Sequence, residues 1–444
     1  MKNLKKTLAL VLALAMVLAM GSSAFATDLS SGKTGSGGNS AALISGESIN
    51  IKKELKPVNP ENSTINAPTI TYTYAVSAGA AAQSITDSAD VNVNTKAGVL
   101  TGLKVKGSEN GTAHTSAVTY SSGDSVSDTI SWTTAKSLTA NTSDYQNLEI
   151  DFSGVEFGAS GVYRYVITES ATYTGTGVKE TDGTHTRYLD VYVKENSTET
   201  GAAKWDVYGF VCSYANNATI DAGTGATNNI TSISKTNGFV GGSDNSGNAV
   251  AADTYYTYNV TISKTLTGDS FNNSHKFPFT VVFTNAGITA NVDIIGTATG
   301  TADAADVSAG ALSTAVTVNP NIANGGTAVY TGIPVGTSVA VYETNDNVGV
   351  TYTSVGTITT AENGDTNAAS KAISYNVVSN TATVASTSAN NAATGNKTVA
   401  FTNDFTLISP TGIVTRFAPY ALILIGGVAL LVIAMKKRKH TEED

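Results

Sequence analysis

Tyr258-Asn259-Val260-Thr261-Ile262-Ser263-Lys264-Thr265-Leu266 alternates with period two and is rich in β-branched side chains, the pattern of a half-buried β-strand. Val260, Ile262, Lys264 and Leu266 share a face. A lysine therefore points where a core should be. An earlier stretch, Ile49-Asn50-Ile51-Lys52-Lys53-Glu54-Leu55, repeats the pattern with Ile49, Ile51, Lys53 and Leu55 on one face. A core-facing lysine is costly unless it is paired or neutral. Further on, a Glu closes an apolar strand face in each half. Tyr163, Tyr165, Ile167 and Glu169 share one face, and Val339, Val341 and Glu343 share another. Near the end, Val399, Phe401, Asn403 and Phe405 also share a face.

The same alternation recurs at 69–76, 162–167, 188–193 and 205–211, separated by Gly-, Ser-, Asn- and Asp-rich turns. No helical period persists between 45 and 406, so the expected fold class is all-β, with two tandem Ig-like β-sandwich domains. The Thr-, Ser-, Gly- and Ala-rich composition, with 19 Tyr and 8 Pro, excludes collagen and coiled coil. The 444 residues leave room for two or three cores, and a single Cys excludes an intramolecular disulfide. The formal net charge is −9; setting aside 1–26 and 413–444 leaves 18 basic and 32 acidic residues, or −14. An acidic body argues against a nucleic-acid partner.

Both ends read as processing signals. Lys2, Lys5 and Lys6 precede an apolar run, Leu8 to Met20, and Ala24-Phe25-Ala26 is a small-x-small cleavage site, so the mature chain is expected to begin at Thr27. At the other end Ile408-Ser409-Pro410-Thr411-Gly412 precedes 18 almost uninterrupted apolar residues, Ala418 to Met435, then Lys436-Lys437-Arg438-Lys439. As a helix the apolar run measures about 27 Å, enough for a membrane span with a cytoplasmic positive stop. The expected organisation is a signal peptide (1–26), a flexible leader (27–44), a first sandwich (45–240) and a linker (241–253). A second sandwich (254–406), a sorting motif (407–412) and a transmembrane helix with basic tail (413–444) follow.

Lys, Glu and Asn buried together can react. An apolar pocket must lower a lysine pKa by about three units to free the amine near neutral pH, and it favours a protonated carboxyl. That carboxyl can polarise the Asn carbonyl and pass a proton to departing ammonia, leaving a Lys–Asn isopeptide bond without a cofactor.

Several motifs carry a family resemblance. They are Lys264-Thr265-Leu266-Thr267-Gly268, Gly332-Ile333-Pro334-x-Gly336 leading to Glu343, and Phe401-Thr402-Asn403. They resemble the isopeptide domains of Gram-positive pilins and adhesins, of the Cna B type and the streptococcal pilin type. Ile51-x-Lys53 and Gly161 to Glu169 are similar to the pilin type, and the C-terminal order resembles an LPxTG-like sorting signal, with Ile for Leu and Pro one place late. The resemblance implies Lys264 as amine, Glu343 as catalytic acid and Asn403 as acceptor. It implies Lys53 and Glu169 in the first domain. There, aligning Lys235 to Gly241 with Lys397 to Asn403 puts Gly241 at the acceptor place, so Asn237 or Asn245 must serve after a register change, or the bond is absent.

The same resemblance implies a sortase that cuts between Thr411 and Gly412, and covalent attachment to other pilin subunits or peptidoglycan. The membrane is a partner only before sorting. The implied product is a secreted pilus subunit, with Lys235 or Lys56 as linking amine. The alternative is a monomeric wall-anchored adhesin or stalk binding a host or carbohydrate ligand. A Lys264–Asn403 bond would close a loop of 139 residues, restrict the unfolded chain by about 4–5 kcal/mol by analogy with a disulfide, and carry tension past the sheet.

Other chemistry has little support. Cys212 with Gln83 or Gln146 lacks a thioester motif and reads as a buried strand residue. His114, His185, His275 and His440 lack metal-ligand spacing. Gly32-Lys33-Thr34 lacks the first glycine of a phosphate loop, and Asp244 to Asn248 reads as a turn rather than a calcium loop. The expectation is therefore no metal, no cofactor and no turnover enzyme.

Overall fold

The computed structural model describes residues 47–407 and 410–441, apart from 81–84, 87–91, 94, 182, 197–199, 201–204, 215–235, 244–248, 269–271, 344–351, 363–368, 375–380 and 386–395. The expected signal peptide, the leader, Lys235, Asn245, Ile408 and Ser409 lie outside the described residues.

The fold is all-β, built as sandwiches. The strands that position the site are β1 (Ser48–Val58), β2 (Ile70–Ala78), β3 (Ser125–Trp132), β4 (Asp144–Asp151), β5 (Gly161–Ala171), β6 (Thr186–Glu195), β7 (Trp205–Ser213) and β8 (Gly238–Phe239). They continue with β9 (Asp253–Gly268), β10 (Phe277–Thr284), β11 (Asn291–Thr299), β12 (Thr327–Pro334), β13 (Ser338–Glu343), β14 (Tyr352–Glu362), β15 (Thr381–Ala385) and β16 (Lys397–Leu407). A helix, α1 (Pro410–Thr441), follows.

Two hydrophobic clusters form. In the first, β1 lies between antiparallel β4 on one side and parallel β8 and β9 on the other. This sheet faces the antiparallel order β7-β6-β5-β2-β3. The core between them holds Ile51, Tyr72, Tyr74, Trp132, Tyr165 and Phe239. Arg164 and Asp190 form a two-pronged ion pair at 2.8 and 2.9 Å, also buried. In the second cluster, β11-β12-β9-β16-β14 is faced by β10-β13-β15. Val260, Phe279, Tyr330 and Phe401 lie at its centre.

The period-two reading explains these strands: Ile49, Ile51, Lys53 and Leu55 of β1 are all buried, as are Val260, Ile262 and Lys264 of β9. One strand serves both clusters. The first residues of β9 pair with β1, from Leu55↔Asp253 to Val58↔Tyr256. From Thr257 onward β9 pairs with β12, with a bulge between Tyr258 and Val260, and from Val260 it also pairs with β16. Of the expected linker, 242–243 pair with 249–250, and Asp253 opens β9.

Pro410 to Gly412 begin α1. Its described side chains, Tyr420 to Met435, are exposed, Leu422, Ile423, Leu424 and Leu430 among them. The expected span, Ala418 to Met435, is thus only partly among the described side chains, and among the described residues no helix is long and apolar enough to cross a membrane.

Gly238 holds β8 against β1. Its φ is +138°, and a Cβ there would collide with the Lys52 backbone. Its carbonyl accepts hydrogen bonds from Arg187 Nε and Thr236 Oγ1, both at 2.8 Å. Gly238→Ala should therefore destabilise the chain by about 2 kcal/mol or more, read as a lower urea midpoint than that of the unaltered protein.

Candidate functional site

The two core-facing lysines occupy matching places. Lys264 on β9 sits opposite Phe401 of the parallel strand β16, and Leu266, two residues on, sits opposite Asn403. From the facing sheet, Glu343 at the end of β13 pairs with Phe279 of β10. Strand alternation turns Lys264, Glu343 and Asn403 into one interior, and all three are buried.

There Lys264 Nζ lies 3.0 and 2.9 Å from the two Glu343 oxygens. Asn403 Nδ2 lies 3.0 Å from the same Glu343 Oε1. The Asn403 Oδ1 is buried with no hydrogen-bond partner. The Phe277 ring stands 4.4 Å below the ammonium. Burial, only partly offset by Glu343, pulls the Lys264 pKa from 10.5 down to about 8. The site thus brings a loosened amine proton, a carboxylate touching both partners, and a carboxamide whose oxygen is unspent.

The first cluster repeats this arrangement with one change. Lys53 on β1 sits opposite Phe239 of parallel β8, as Lys264 sits opposite Phe401. Glu169 of β5 pairs with Tyr74 of β2, as Glu343 pairs with Phe279. Tyr72 stands 4.1 Å below Lys53 Nζ, as Phe277 stands below Lys264. Lys53 Nζ lies 2.9 Å from Glu169 Oε1.

Asn237, however, is not brought to Lys53. Its backbone carbonyl accepts from Lys52 N at 2.8 Å, and its side-chain oxygen is buried without a hydrogen-bond partner. The second carboxylate on Lys53 is Asp253 Oδ2, at 2.8 Å. The physical reason is that the chain leaves the sheet after β8 and returns at Asp253, so continuous counting from Phe239 runs past the position. Asp253 was missed for that reason. Its one sequence signal is an acidic residue at the head of an aromatic strand, Asp253-Thr254-Tyr255-Tyr256.

Tyrosines and a histidine complete the first site. Tyr74 donates to Glu169 Oε2 at 2.5 Å, and Tyr173 donates to Asp253 Oδ2 at 2.9 Å. His185 Nδ1 is 3.6 Å from Glu169, too long for a hydrogen bond, and its Nε2 is 2.7 Å from Glu180. Glu169 first, then Glu180, against partial burial, push the His185 pKa up to about 9.

Cys212 is buried, and burial pushes its thiol up to about 12, as suits a structural strand residue. Gln146 is buried opposite Lys53 and spends its amide on Ser131 and Gly111. Among the described residues no group of His, Cys, Asp and Glu could hold a metal ion.

A family described as a domain of unknown function, DUF7601, matches residues 258–405. No curated protein matches the chain. Among solved structures, the major pilin from Streptococcus pyogenes is 19% identical, with a TM-score of 0.37, over 81% of this chain and 99% of that one. The major pilin protein T3.2 of the same species is 17% identical, with a TM-score of 0.36, over 81% and 99%. A pilus-presented adhesin is 19% identical over 35% of this chain and 30% of that one, with a TM-score of 0.20. Scores this low carry no functional inference.

The lowered Lys264 pKa has a measurable consequence. In Asn403→Ser, which takes the carboxamide away from Glu343, the Lys264 amine faces the carboxylate as a titratable group. Between pH 8 and 10.5 the unfolded chain binds the Lys264 proton and the folded chain does not. Stability should therefore rise with pH across that window, by on the order of 3 kcal/mol. Adding Lys264→Met should flatten the rise in urea titrations run across the same range.

Proposed function

We propose that this chain is a structural cell-surface protein, a pilus subunit assembled by sortase. Its second sandwich would be closed by a Lys264–Asn403 isopeptide bond with Glu343 as catalytic acid. The observation that carries the reading is Glu343 Oε1, 3.0 Å from both the Lys264 amine and the Asn403 carboxamide in a buried site. Lys264 gives a proton to Glu343, and the carboxamide turns so that its unpartnered oxygen faces the new carboxylic acid. The amine attacks Cγ of Asn403. Glu343 returns the proton to the departing nitrogen, which leaves as ammonia, and then takes the second proton from Nζ, so that a neutral amide and a protonated Glu343 remain. Nothing is consumed, so each chain reacts once.

In this reading the interior of each sandwich selects the partners, because only burial makes the amine nucleophilic and the carboxyl a donor. The first sandwich spans 45–240 and the second 254–406. The 407–412 motif is cut between Thr411 and Gly412, and 413–444 holds the precursor in the membrane until then. Attachment through Thr411 places the product on the cell wall or in a pilus of a Gram-positive bacterium, joined to its neighbours without thiols. A single Cys in the chain agrees with a redox-independent crosslink.

Two measurements test this. Glu343→Ala should raise the intact mass, after allowance for the substitution, by one ammonia; an unchanged mass removes the bond. Wall extracts of the producing bacterium should show a high-molecular-weight ladder that disappears when a pilin-type sortase is deleted. A single discrete band would identify an anchored monomer instead.

A further inference from the structure

We infer that Asn259 and the side chains gathered on it form a brace that makes the two sandwiches one stiff body, where a bulge in the strand they share would otherwise act as a hinge. The inference draws nothing from the self-joining chemistry proposed above and concerns a different part of the chain.

Asn259 occupies a break in the ladder. It is the residue skipped where β9 pairs with β12, between Tyr258↔Ile333 and Val260↔Tyr330. Before it β9 lies against β1, and from Val260 against β16. A bulge bends its strand and leaves one residue out of the pairing, and neighbouring domains move relative to one another unless their contact holds them. Here the Asn259 N–H donates to Asn396 Oδ1 at 2.8 Å. Its side-chain oxygen accepts from Asn59 Nδ2 at 2.9 Å and from Gly332 N at 3.3 Å. Its side-chain nitrogen donates to Glu61 Oε2 at 3.4 Å. Asn59 and Glu61 follow β1 in the first sandwich, whereas Gly332 and Asn396 belong to the second. Asn59, Asn259 and Asn396 are all buried.

The partners are themselves fixed. Asn396 Nδ2 donates to Glu61 Oε1 at 2.9 Å, the Glu61 amide donates to Asn59 Oδ1 at 3.1 Å, and Asn59 Nδ2 also reaches Thr257 Oγ1 at 2.8 Å. Asn141 holds the Asn59 backbone, donating to its carbonyl at 2.8 Å and accepting from its N–H at 3.3 Å. Such a network is stiff, because turning one side chain strands a buried donor or acceptor on another. The brace works on both edges of β9. Asn59 continues β1 along one edge, and 178–179 pair with 254–255 along the other. On that second side the Gly175 carbonyl accepts from Thr289 N and Ala290 N, both at 3.0 Å. Gly175 has φ +83°, and a Cβ on it would collide with the Thr289 hydroxyl, so this turn of the first sandwich seats on the second. The joint also bears on the Lys264 site. Asn396 immediately precedes β16, whose pairing with β9 starts at Val260↔Lys397, so the bond from Asn259 to Asn396 pins the register that sets Lys264 opposite Phe401.

Spin labels measure the stiffness. Val118→Cys in the first sandwich and Lys276→Cys in the second each offer a site 42% exposed, while Cys212 is buried. In the full chain, purified in detergent, pulsed electron spin resonance should give one narrow distance distribution between the two labels. Asn59→Ala and Asn396→Ala should each broaden it roughly twofold or more, as the bulge becomes a hinge. A broad distribution before either change, or a narrow one that persists in both variants, overturns the inference. Unfolding gives a second readout. Both tryptophans, Trp132 and Trp205, lie in or against the first core, so a urea titration read by tryptophan fluorescence follows that sandwich alone. Asn396→Ala, a change in the second sandwich, should lower that midpoint, and Lys276→Ala, outside the joint, should not. An unmoved midpoint in Asn396→Ala, or an equal shift in Lys276→Ala, also overturns it. The labelled chain without further changes is decisive should a variant not fold. Neither readout depends on whether Lys264 and Asn403 are joined, so the mass measurement above can fail while the brace stands, or the reverse.

Discussion

A lysine ammonium sealed inside a β-sandwich constrains everything around it. Its desolvation is tolerable only against a carboxylate, and removing that partner would leave a buried charge at a cost of about 3–5 kcal/mol. Lys264 meets Glu343 and Lys53 meets Glu169, in each case across the two sheets. The facing sheets must therefore close at one spacing and register. A slip of one residue would turn lysine and glutamate to opposite faces and leave each without the other. The polar groups fix the sandwich where apolar packing alone would accept several alignments.

The two clusters solve this problem with the same parts. An aromatic ring lies under each ammonium, Tyr72 or Phe277. A second ring two residues further along pairs with the glutamate, Tyr74 or Phe279. A phenylalanine flanks each lysine on the neighbouring parallel strand, Phe239 or Phe401, and packs on that second ring at 5.2 and 4.9 Å. The differences lie in the polar additions. Tyr74 supplies a hydroxyl to Glu169 where Phe279 has none to give, and a carboxylate stands where the other site has a carboxamide.

Much of this was legible in the sequence because strand alternation is unforgiving. Lys53, Lys264, Glu169, Glu343 and Asn403 each interrupt a run of core-facing residues at an in-phase position, so period two alone turns them inward. The all-β fold follows from the same pattern. Asp253 was not legible, because phase counting assumes an unbroken strand. Between Phe239 and Asp253 the chain leaves the sheet, forms the small 242–243 and 249–250 pairing, and re-enters beside β1. Asn237 was in phase by counting, but the register sets Phe239 opposite Lys53, so Asn237 falls two residues before the lysine rather than two after it. The hydroxyls of Tyr74 and Tyr173 were also invisible, because tyrosine in a strand reads as apolar packing until its tip is located.

The shared strand β9 changes what damage to the chain would mean. Its first residues lie beside β1 in the first cluster, and from Val260 it lies between β12 and β16 in the second. A protease cut in a surface loop would leave both sheets their shared member, whereas a cut along β9 would take the same strand from both at once. Its residues from Asp253 to Asn259 are buried almost throughout, so that one vulnerable stretch is shielded by the two cores it joins.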